Sequence, residues 1–413
     1  MEKNFRRQQW MMLLATMFCY LFFYTGRHNF GWAAKGMSAA LDIPYSAIGW
    51  ISFSMLMGYA IGQLINGNLA DRLSPKRMII TGAYLSVLTN ITVSYADSFY
   101  TIMILWALNG YFQSMAWAPG GKLINNWWGS EERGKAFGFY TMSAGLSSAV
   151  TFLLSIILIQ LHMEWRMLFR IPVVLLFISS TIFLFIAKDK PAGKETGTDG
   201  HAHEAAETWQ ERYRAVFREK QFLLLCLAFG FESMARYGLI LWVPVHYLGQ
   251  DWKSNPDNLW ATLLLPVGMA AGALSFGIIS DTLFGKDKVI PIKSGMVISA
   301  VLSLMIYYIP FHNLVLGSIL MFLAGFFVYG TQSCFWALCP DILGSRYTGT
   351  GIGMMNMFGY VFAALGEPLL GNLIDVSGNT GYIFIAVSVI SLLCVAVLPK
   401  NRGIRAQLLS IRE

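Results

Sequence analysis

Long apolar stretches alternate with short polar breaks along the whole chain, a pattern typical of membrane proteins that cross the bilayer many times. Hydropathy and turn signals together predict twelve spanning helices. The first apolar run is too long for a cleavable signal peptide. The predicted spans are 10–34, 44–68, 78–96, 99–124, 136–160, 166–187, 221–248, 258–281, 289–309, 313–338, 349–374 and 379–399.

One long polar segment, 188–219, follows the sixth predicted span. It is charged and rich in glycine, which is typical of a linker. It separates an N-terminal six-helix bundle at 1–187 from a C-terminal six-helix bundle at 220–413. We therefore predict an all-α polytopic membrane protein with twelve transmembrane helices in two pseudo-symmetric bundles.

An internal repeat supports this division. Gly67–Asp71 and Gly277–Asp281 both read Gly-x-x-x-Asp, lie 210 residues apart, and follow the second and eighth predicted spans. We expect these motifs to stabilise the adjoining loops, with Asp71 and Asp281 as secondary gating candidates. A third copy, GNLID at 371–375, ends the eleventh span.

The basic residues predict the orientation. With both termini on one side, 24 of the 30 lysines and arginines fall on that side, four fall on the other, and two lie within spans. Because loops rich in basic residues stay in the cytoplasm, both termini are expected there, in a multi-pass protein of the inner membrane. The net charge of +7 thus reflects topology and contact with lipid, and we expect no nucleic-acid partner.

Composition excludes a soluble protein, because only 13% of the residues are charged and 55% are hydrophobic, whereas soluble proteins average about 25% charged residues. The five cysteines lie in or beside apolar runs and predict neither disulfides nor a metal site. No nucleophile set or phosphate-binding glycine loop is apparent. We therefore expect a protein that is not an enzyme, has no cofactor and is a monomer.

Two arginines lie inside predicted spans, Arg27 in the first and Arg236 in the seventh, 209 residues apart. A charged side chain at mid-bilayer costs about 2.5–3.5 kcal/mol even on insertion scales, so such residues are functional-site candidates. Equivalent positions in the two halves predict a shared anion site between them.

In the first span, Tyr20, Tyr24 and Arg27 share one face of a continuous helix. Arg27 either faces a polar cavity or snorkels to the membrane surface. Because Lys35 already marks the outer end of this span, we favour the cavity.

Other polar side chains at helical spacing leave their roles open. Glu232 lies one turn before Arg236 and either pairs with it or tunes the site. Glu367, two turns after Tyr360, carries a proton, pairs with a cation, or is simply protonated and bonded to the backbone. In the second span, Tyr59 and Gln63 lie one turn apart, and they either bind substrate or join helices.

Four motifs make the chain resemble the organophosphate:phosphate antiporters of the major facilitator superfamily, which include bacterial glycerol-3-phosphate and hexose-phosphate transporters. The motifs are YTGRHNF (24–30), NGYFQSMAWAPGGK (109–122), NWWGSEERG (126–134) and ARYGLILW (235–242). The resemblance implies that Arg27 and Arg236 bind a phosphoryl group. It also implies a tyrosine-lined cavity, with the tyrosines falling on Tyr20, Tyr24, Tyr59 and Tyr360.

The chain also departs from that family. Gln63 replaces a lysine, Ala144 replaces a histidine, and Glu232 and Glu367 stand where apolar or small residues are usual. We therefore expect a less basic cavity that takes a small or singly charged organic anion such as an organophosphate, phosphonate or sulfonate. A carboxylate, or a zwitterion whose amine faces a glutamate, also fits.

The expected function is alternating-access transport of that anion in exchange for inorganic phosphate. If a glutamate carries a proton, proton-coupled symport replaces the exchange. A receptor that senses a phosphorylated metabolite through the same cavity is the remaining alternative.

Overall fold

A computed structural model of the protein describes residues 2–191, 209–249, 257–284, 287–308 and 314–399. These residues form helices joined by short turns, and the described part of the chain contains no strand. A 3₁₀ turn, Tyr24–Gly26, lies between α1 and α2. The helices are α1 (Glu2–Phe23), α2 (Asn29–Leu41), α3 (Tyr45–Arg72), α4 (Pro75–Val93), α5 (Phe99–Gln113), α6 (Trp117–Trp127), α7 (Ser130–Gln160), α8 (Met167–Ile186), α9 (Trp209–Arg218), α10 (Lys220–Gly249), α11 (Asn258–Phe284), α12 (Val289–Tyr308), α13 (Leu314–Gly330), α14 (Gln332–Ser377) and α15 (Tyr382–Val397).

All twelve predicted spans fall on these helices, but three of them are not single helices. The first span is divided into α1 and α2 by the 3₁₀ turn, and the fourth is divided into α5 and α6. The tenth span passes from α13 into α14, which then kinks sharply at Gly344. At Gly344 φ is +71°, a backbone conformation that glycine adopts without steric penalty.

Eight helical segments in the described ranges are long and apolar enough to cross a bilayer by these criteria alone. The remaining four predicted spans are the divided first and fourth spans, the more polar α4, and α15, which has 16 residues. Broken and polar helices are tolerated in a membrane where neighbouring helices bury them and satisfy their backbone. These spans therefore depend on tertiary packing.

The hydrophobic core is divided unequally between the two ends of the bundle. Because an even number of crossings separates the start of α1 from the end of α15, both lie on one side, which we call the terminal side. Two separate clusters occupy this side, one around Met12 and Leu176 in the N-terminal half and one around Phe222 and Cys394 in the C-terminal half. On the opposite side, one cluster spans both halves, from Trp32, Phe152 and Trp106 to Trp242 and Phe384. The halves are thus joined at the opposite side and separated at the terminal side.

Three helix pairs form the junction between the halves: α3 with α14, α7 with α11, and α2 with α10. The first pair packs closely because a glycine faces backbone. A Cβ added at Gly49 would lie 2.5 Å from the carbonyl oxygen of Glu367. Any larger residue at Gly49 would therefore push α3 away from α14 at the opposite side of the bundle.

Polar contacts complete the seal at the opposite side. Asp375, the last residue of the GNLID motif, accepts hydrogen bonds from the backbone N–H groups of Tyr45 (2.8 Å) and Ser46 (2.7 Å) at the start of α3. A carboxylate of one half therefore caps a helix of the other half, satisfying free donors and opposing the positive end of the helix dipole. Lys35 similarly donates to the carbonyl oxygen of Leu248 across the halves.

Replacing Asp375 with alanine should weaken this seal, because losing an N-terminal cap costs about 0.5–2 kcal/mol. Asp375→Asn, which still accepts from the backbone, is the matched control. Spin labels on cysteines introduced at the exposed positions Glu164 and Val376 would report the separation of the halves, since all five native cysteines are buried. We expect a longer-distance population in Asp375→Ala only. Identical distance distributions in the parent and Asp375→Ala would contradict a sealing role.

Candidate functional site between the two halves

The break in the first span places Arg27 at the centre of the protein. The carbonyl oxygen of Gly26 accepts hydrogen bonds from the side-chain amides of Asn109 (2.8 Å) and Asn90 (3.1 Å), and that of Phe23 accepts from Gln113 (2.9 Å). These amides replace the hydrogen bonds that the interrupted helix cannot make. The expectation of one continuous helical stripe through Tyr20, Tyr24 and Arg27 is therefore wrong, since the backbone leaves the helix before Arg27.

Arg27 is buried, with 5% of its surface exposed. Its Nη2 donates a hydrogen bond of 2.7 Å to the Tyr237 hydroxyl of the other half. Its guanidinium carbon lies 4.6 Å from the centre of the Tyr59 ring and 5.5 Å from that of Tyr360. Aromatic faces attract cations, so the tyrosines stabilise a charge that water does not reach.

Arg236 lies on α10, and its guanidinium carbon is 4.6 Å from the centre of the Tyr237 ring and 4.9 Å from that of Tyr329. Its Nε is 3.6 Å from a carboxylate oxygen of Glu232, one turn earlier on the helix. Glu232 is fully buried, and its other oxygen accepts a 3.0 Å hydrogen bond from the Ser233 hydroxyl. The predicted Glu232–Arg236 pairing is present as an ion pair, without a hydrogen bond between the two closest atoms.

Tyr237 lies between the two arginines. The guanidinium carbon of Arg27 is 5.2 Å from its ring centre and that of Arg236 is 4.6 Å from the same point, so the two carbons are at most about 10 Å apart. A small oxyanion can accept hydrogen bonds from two guanidiniums at such a separation. One cation from each half of the protein thus lies against the same tyrosine.

A cavity of about 270 Å³ lies beside this pair. Arg236 is the one charged residue among the described residues that line it, and both halves contribute walls. Tyrosines make up much of the lining. The lining residues are Tyr20, Tyr24, Tyr59, Trp117, Ala144, Arg236, Tyr237, Tyr329, Gln332, Trp336, Ile352, Asn356 and Tyr360.

Five of the predicted site residues line this cavity: Tyr20, Tyr24, Tyr59, Tyr360 and Arg236. Arg27 lies behind the tyrosines and lines a second, smaller cavity of about 30 Å³ together with His28 and Glu367. Glu367 is 2% exposed, and one of its oxygens has no hydrogen-bond partner.

Three other candidates lie elsewhere. Gln63 is one turn beyond Tyr59 on α3, outside the lining of the cavity, and its buried Nε2 makes no hydrogen bond. The side chains of Asp71 and Asp281 lie outside the described residues, so their gating role stays a prediction.

Sequence reasoning missed several lining residues, of which Tyr237 is the most central. A signal for it was available, because Tyr237 follows Arg27 by 210 residues, the offset of the internal repeat. Nothing comparable marked the other missed residues, which are Trp117, Tyr329, Gln332, Trp336 and Asn356.

Comparisons with known proteins agree with this architecture. Residues 16–367 match the model of the Major Facilitator Superfamily. A glycerol-3-phosphate transporter of Bacillus subtilis (strain 168) is 24% identical over 98% of this chain and 96% of its own length. A phosphoglycerate transporter protein of Salmonella typhimurium is 25% identical over 92% of this chain and 86% of its own length.

A solved structure shares the fold. A bacterial homologue of the human lysosomal transporter Spinster has a TM-score of 0.79 at 15% identity, covering 95% of this chain and 96% of the other. The expected fold of twelve helices in two six-helix bundles is thus confirmed, as is the resemblance to organophosphate transporters. The chain is a multi-pass inner-membrane protein that belongs to the Major Facilitator Superfamily.

Proposed function

We propose that the protein is a secondary active transporter that moves a small organic anion of the organophosphate class across the inner membrane by alternating access. The observation that carries this proposal is the placement of Arg27 and Arg236, one from each half, around Tyr237. The names of the relatives, a glycerol-3-phosphate and a phosphoglycerate transporter, support the same substrate class.

In the proposed mechanism, the anion enters the 270 Å³ cavity beside Arg236, and Tyr237 moves aside so that the anion accepts hydrogen bonds from Arg27 as well. Planar guanidiniums bind oxyanions through two parallel hydrogen bonds, so each half gains contacts only when the anion is present. A ligand that bridges the halves favours conformations in which they are close together. Tyr20, Tyr24, Tyr59 and Tyr360 shape the cavity around it.

Access then alternates between the two sides. With both termini in the cytoplasm, as the basic residues predict, the separated terminal side opens the cavity to the cytoplasm. When the halves close there, the seal formed by Asp375 and the shared core opens on the other side. Movement of one half against the other around a central site is the common mode of such transporters.

Exchange with inorganic phosphate follows from the same charges. Without an anion, the two guanidiniums are uncompensated by any bridging negative charge in a medium of low dielectric constant, so bringing them together in the closed empty carrier is unfavourable. A phosphate ion relieves this repulsion as the substrate does. The carboxylate of Glu232 partly offsets the positive charge of Arg236, and we propose that it tunes the affinity of Arg236 for the anion. Glu367 is the candidate for proton coupling, and Asp71 and Asp281 are candidates for gating.

The domain boundaries and the oligomeric state are part of the same proposal. The working boundaries are an N-terminal bundle at 1–187, a cytoplasmic linker at 188–219 and a C-terminal bundle at 220–413. The site is complete within one chain, so the functional unit is a monomer.

The paired arginines are tested by conservative substitution. Arg27→Lys and Arg236→Lys keep the charge but lose the planar donor pair, and we expect each to reduce phosphate uptake into proteoliposomes by about 10–100-fold. Arg170→Lys is the matched control, because Arg170 donates a 2.8 Å hydrogen bond to Ser94 outside the cavity. We expect this variant to transport normally. Near-normal uptake by either cavity variant would rule out a shared anion clamp.

The coupling mode is tested with the same vesicles. We expect uptake of radiolabelled glycerol 3-phosphate to require phosphate inside, and to be insensitive to acidification outside. Empty vesicles that take up substrate when the outside is acidified would instead establish proton symport, and Glu367→Gln should then abolish that uptake.

The Tyr237 hydroxyl accepts the only hydrogen bond that the Arg27 guanidinium makes to the described residues. Tyr237→Phe should therefore lower the stability of the empty protein by about 1–3 kcal/mol, the penalty for an unsatisfied buried donor. The readout is the melting midpoint in detergent, with the exposed Tyr100→Phe as control. Equal midpoints for the two variants would mean that Tyr237 does not hold Arg27.

A further inference from the structure

Two side-chain amides line the cavity without any role in the anion clamp. Gln332 and Asn356 both belong to α14, on either side of the kink at Gly344, and both line the 270 Å³ cavity. Neither side chain makes a hydrogen bond to the described residues, and both are partly exposed. Their donors and acceptors are therefore available to a molecule in the cavity.

The amides lie closer to the terminal side than the tyrosines that surround the arginines. Asn356 precedes Tyr360 by four residues on the same helix, which corresponds to about 6 Å along the axis. The tenth span runs toward the terminal side, and Gln332 follows Tyr329 by three residues in that span. Both amides thus lie about one helical turn from the tyrosines. A substrate would span this distance if a chain of a few carbons, its body, is attached to its anionic head.

Two indoles accompany the amides. Trp117 stacks on Tyr140 at 5.1 Å between ring centres, and Trp336 packs against Phe229 at 5.0 Å. Because these contacts fix the rings, they offer rigid apolar faces at little entropic cost. Such faces suit the C–H surface of a polyol or sugar.

The hydrogen-bonding capacity of the two amides determines which chemical groups of a substrate they can bind. An amide presents two donors and one acceptor, and a hydroxyl group, which both donates and accepts, can use either. A carboxylate only accepts, so it can use the N–H groups but supplies no donor to the amide oxygens. Arg236 is the one charged residue among the described residues that line this cavity, and in the proposed function it already holds the anionic head. A second anionic group would therefore lack a cation of its own, and an unpaired charge in such a site is unfavourable.

We propose that Gln332 and Asn356 form an uncharged second subsite that recognises a neutral, hydroxylated body and rejects substrates with a second anionic group. This inference rests on the proposed function, since the arginines must first hold the anionic head. The transported molecule then has one phosphoryl-type head and at least one hydroxyl group placed near α14.

A matched pair of compounds tests the subsite. Glycerol 3-phosphate and 3-phosphoglycerate share the phosphate and differ at the far carbon, which carries a hydroxyl in the first and a carboxylate in the second. In proteoliposomes of the full chain, both would compete with uptake of radiolabelled inorganic phosphate. We expect glycerol 3-phosphate to inhibit at a concentration at least about tenfold lower, as sites built for a hydroxyl discriminate strongly. Equal or stronger inhibition by 3-phosphoglycerate, or inhibition by neither compound, would overturn the proposal.

Substitutions of the two amides test whether they cause the preference for glycerol 3-phosphate. Asn356→Leu and Gln332→Leu should each weaken inhibition by glycerol 3-phosphate about five- to tenfold, the effect of one lost hydrogen bond. The loss should be larger for glycerol 3-phosphate than for phosphate itself, whose half-saturating concentration is measured in each variant as the reference, because phosphate carries no hydroxylated carbon chain. Unchanged inhibition in both variants would remove the amides from the subsite.

Two further outcomes separate this inference from the proposed function. Asn356→Lys supplies the missing cation and should improve inhibition by 3-phosphoglycerate relative to glycerol 3-phosphate; no change in that ratio would count against the charge argument. Absence of any arginine-dependent phosphate uptake in the parent protein would refute the proposed function itself, and the subsite with it.

Discussion

A charged guanidinium buried in a membrane protein must be compensated by its surroundings, and the rest of this structure depends on how Arg27 meets that requirement. Moving such a charge to the bilayer centre costs about 2.5–3.5 kcal/mol even on lenient scales. Here the compensation comes from tyrosine rings of both halves and from the Tyr237 hydroxyl. Because the stabilising groups belong to different bundles, the charge also holds the bundles in register around the site.

The same requirement explains the broken first span. Turning Arg27 into the centre interrupts the helix and leaves carbonyl groups without partners, which would be costly in a membrane. Asn90, Asn109 and Gln113 from α4 and α5 satisfy them. Asn90 lies on α4, and Ser86 of the same helix bonds Asn109 and Gln113, so part of the polarity of the third span serves the site.

The division of the core describes how the halves can move. A continuous apolar cluster and the Asp375 cap hold one side closed, whereas two separate clusters leave the other side apart. Opening the closed side exposes apolar surface and frees the donors at the start of α3, and only new contacts elsewhere can offset that loss. In the proposed mechanism, an anion held by both Arg27 and Arg236 supplies such contacts, and the proposed subsite on α14 adds contacts to the rest of the substrate.

The amino-acid sequence by itself determined the twelve spans, the division into two halves and the two central arginines. It could do so because a bilayer requires long apolar helices and penalises any charge within them, so both features stand out along a single chain. The break before Arg27, the position of Tyr237 between the arginines and the convergence of Gln332 with Asn356 were decided by the tertiary structure. Each depends on how a helix is kinked and rotated and on which side chains of another helix reach it. Contacts of that kind leave no periodic signal in the sequence.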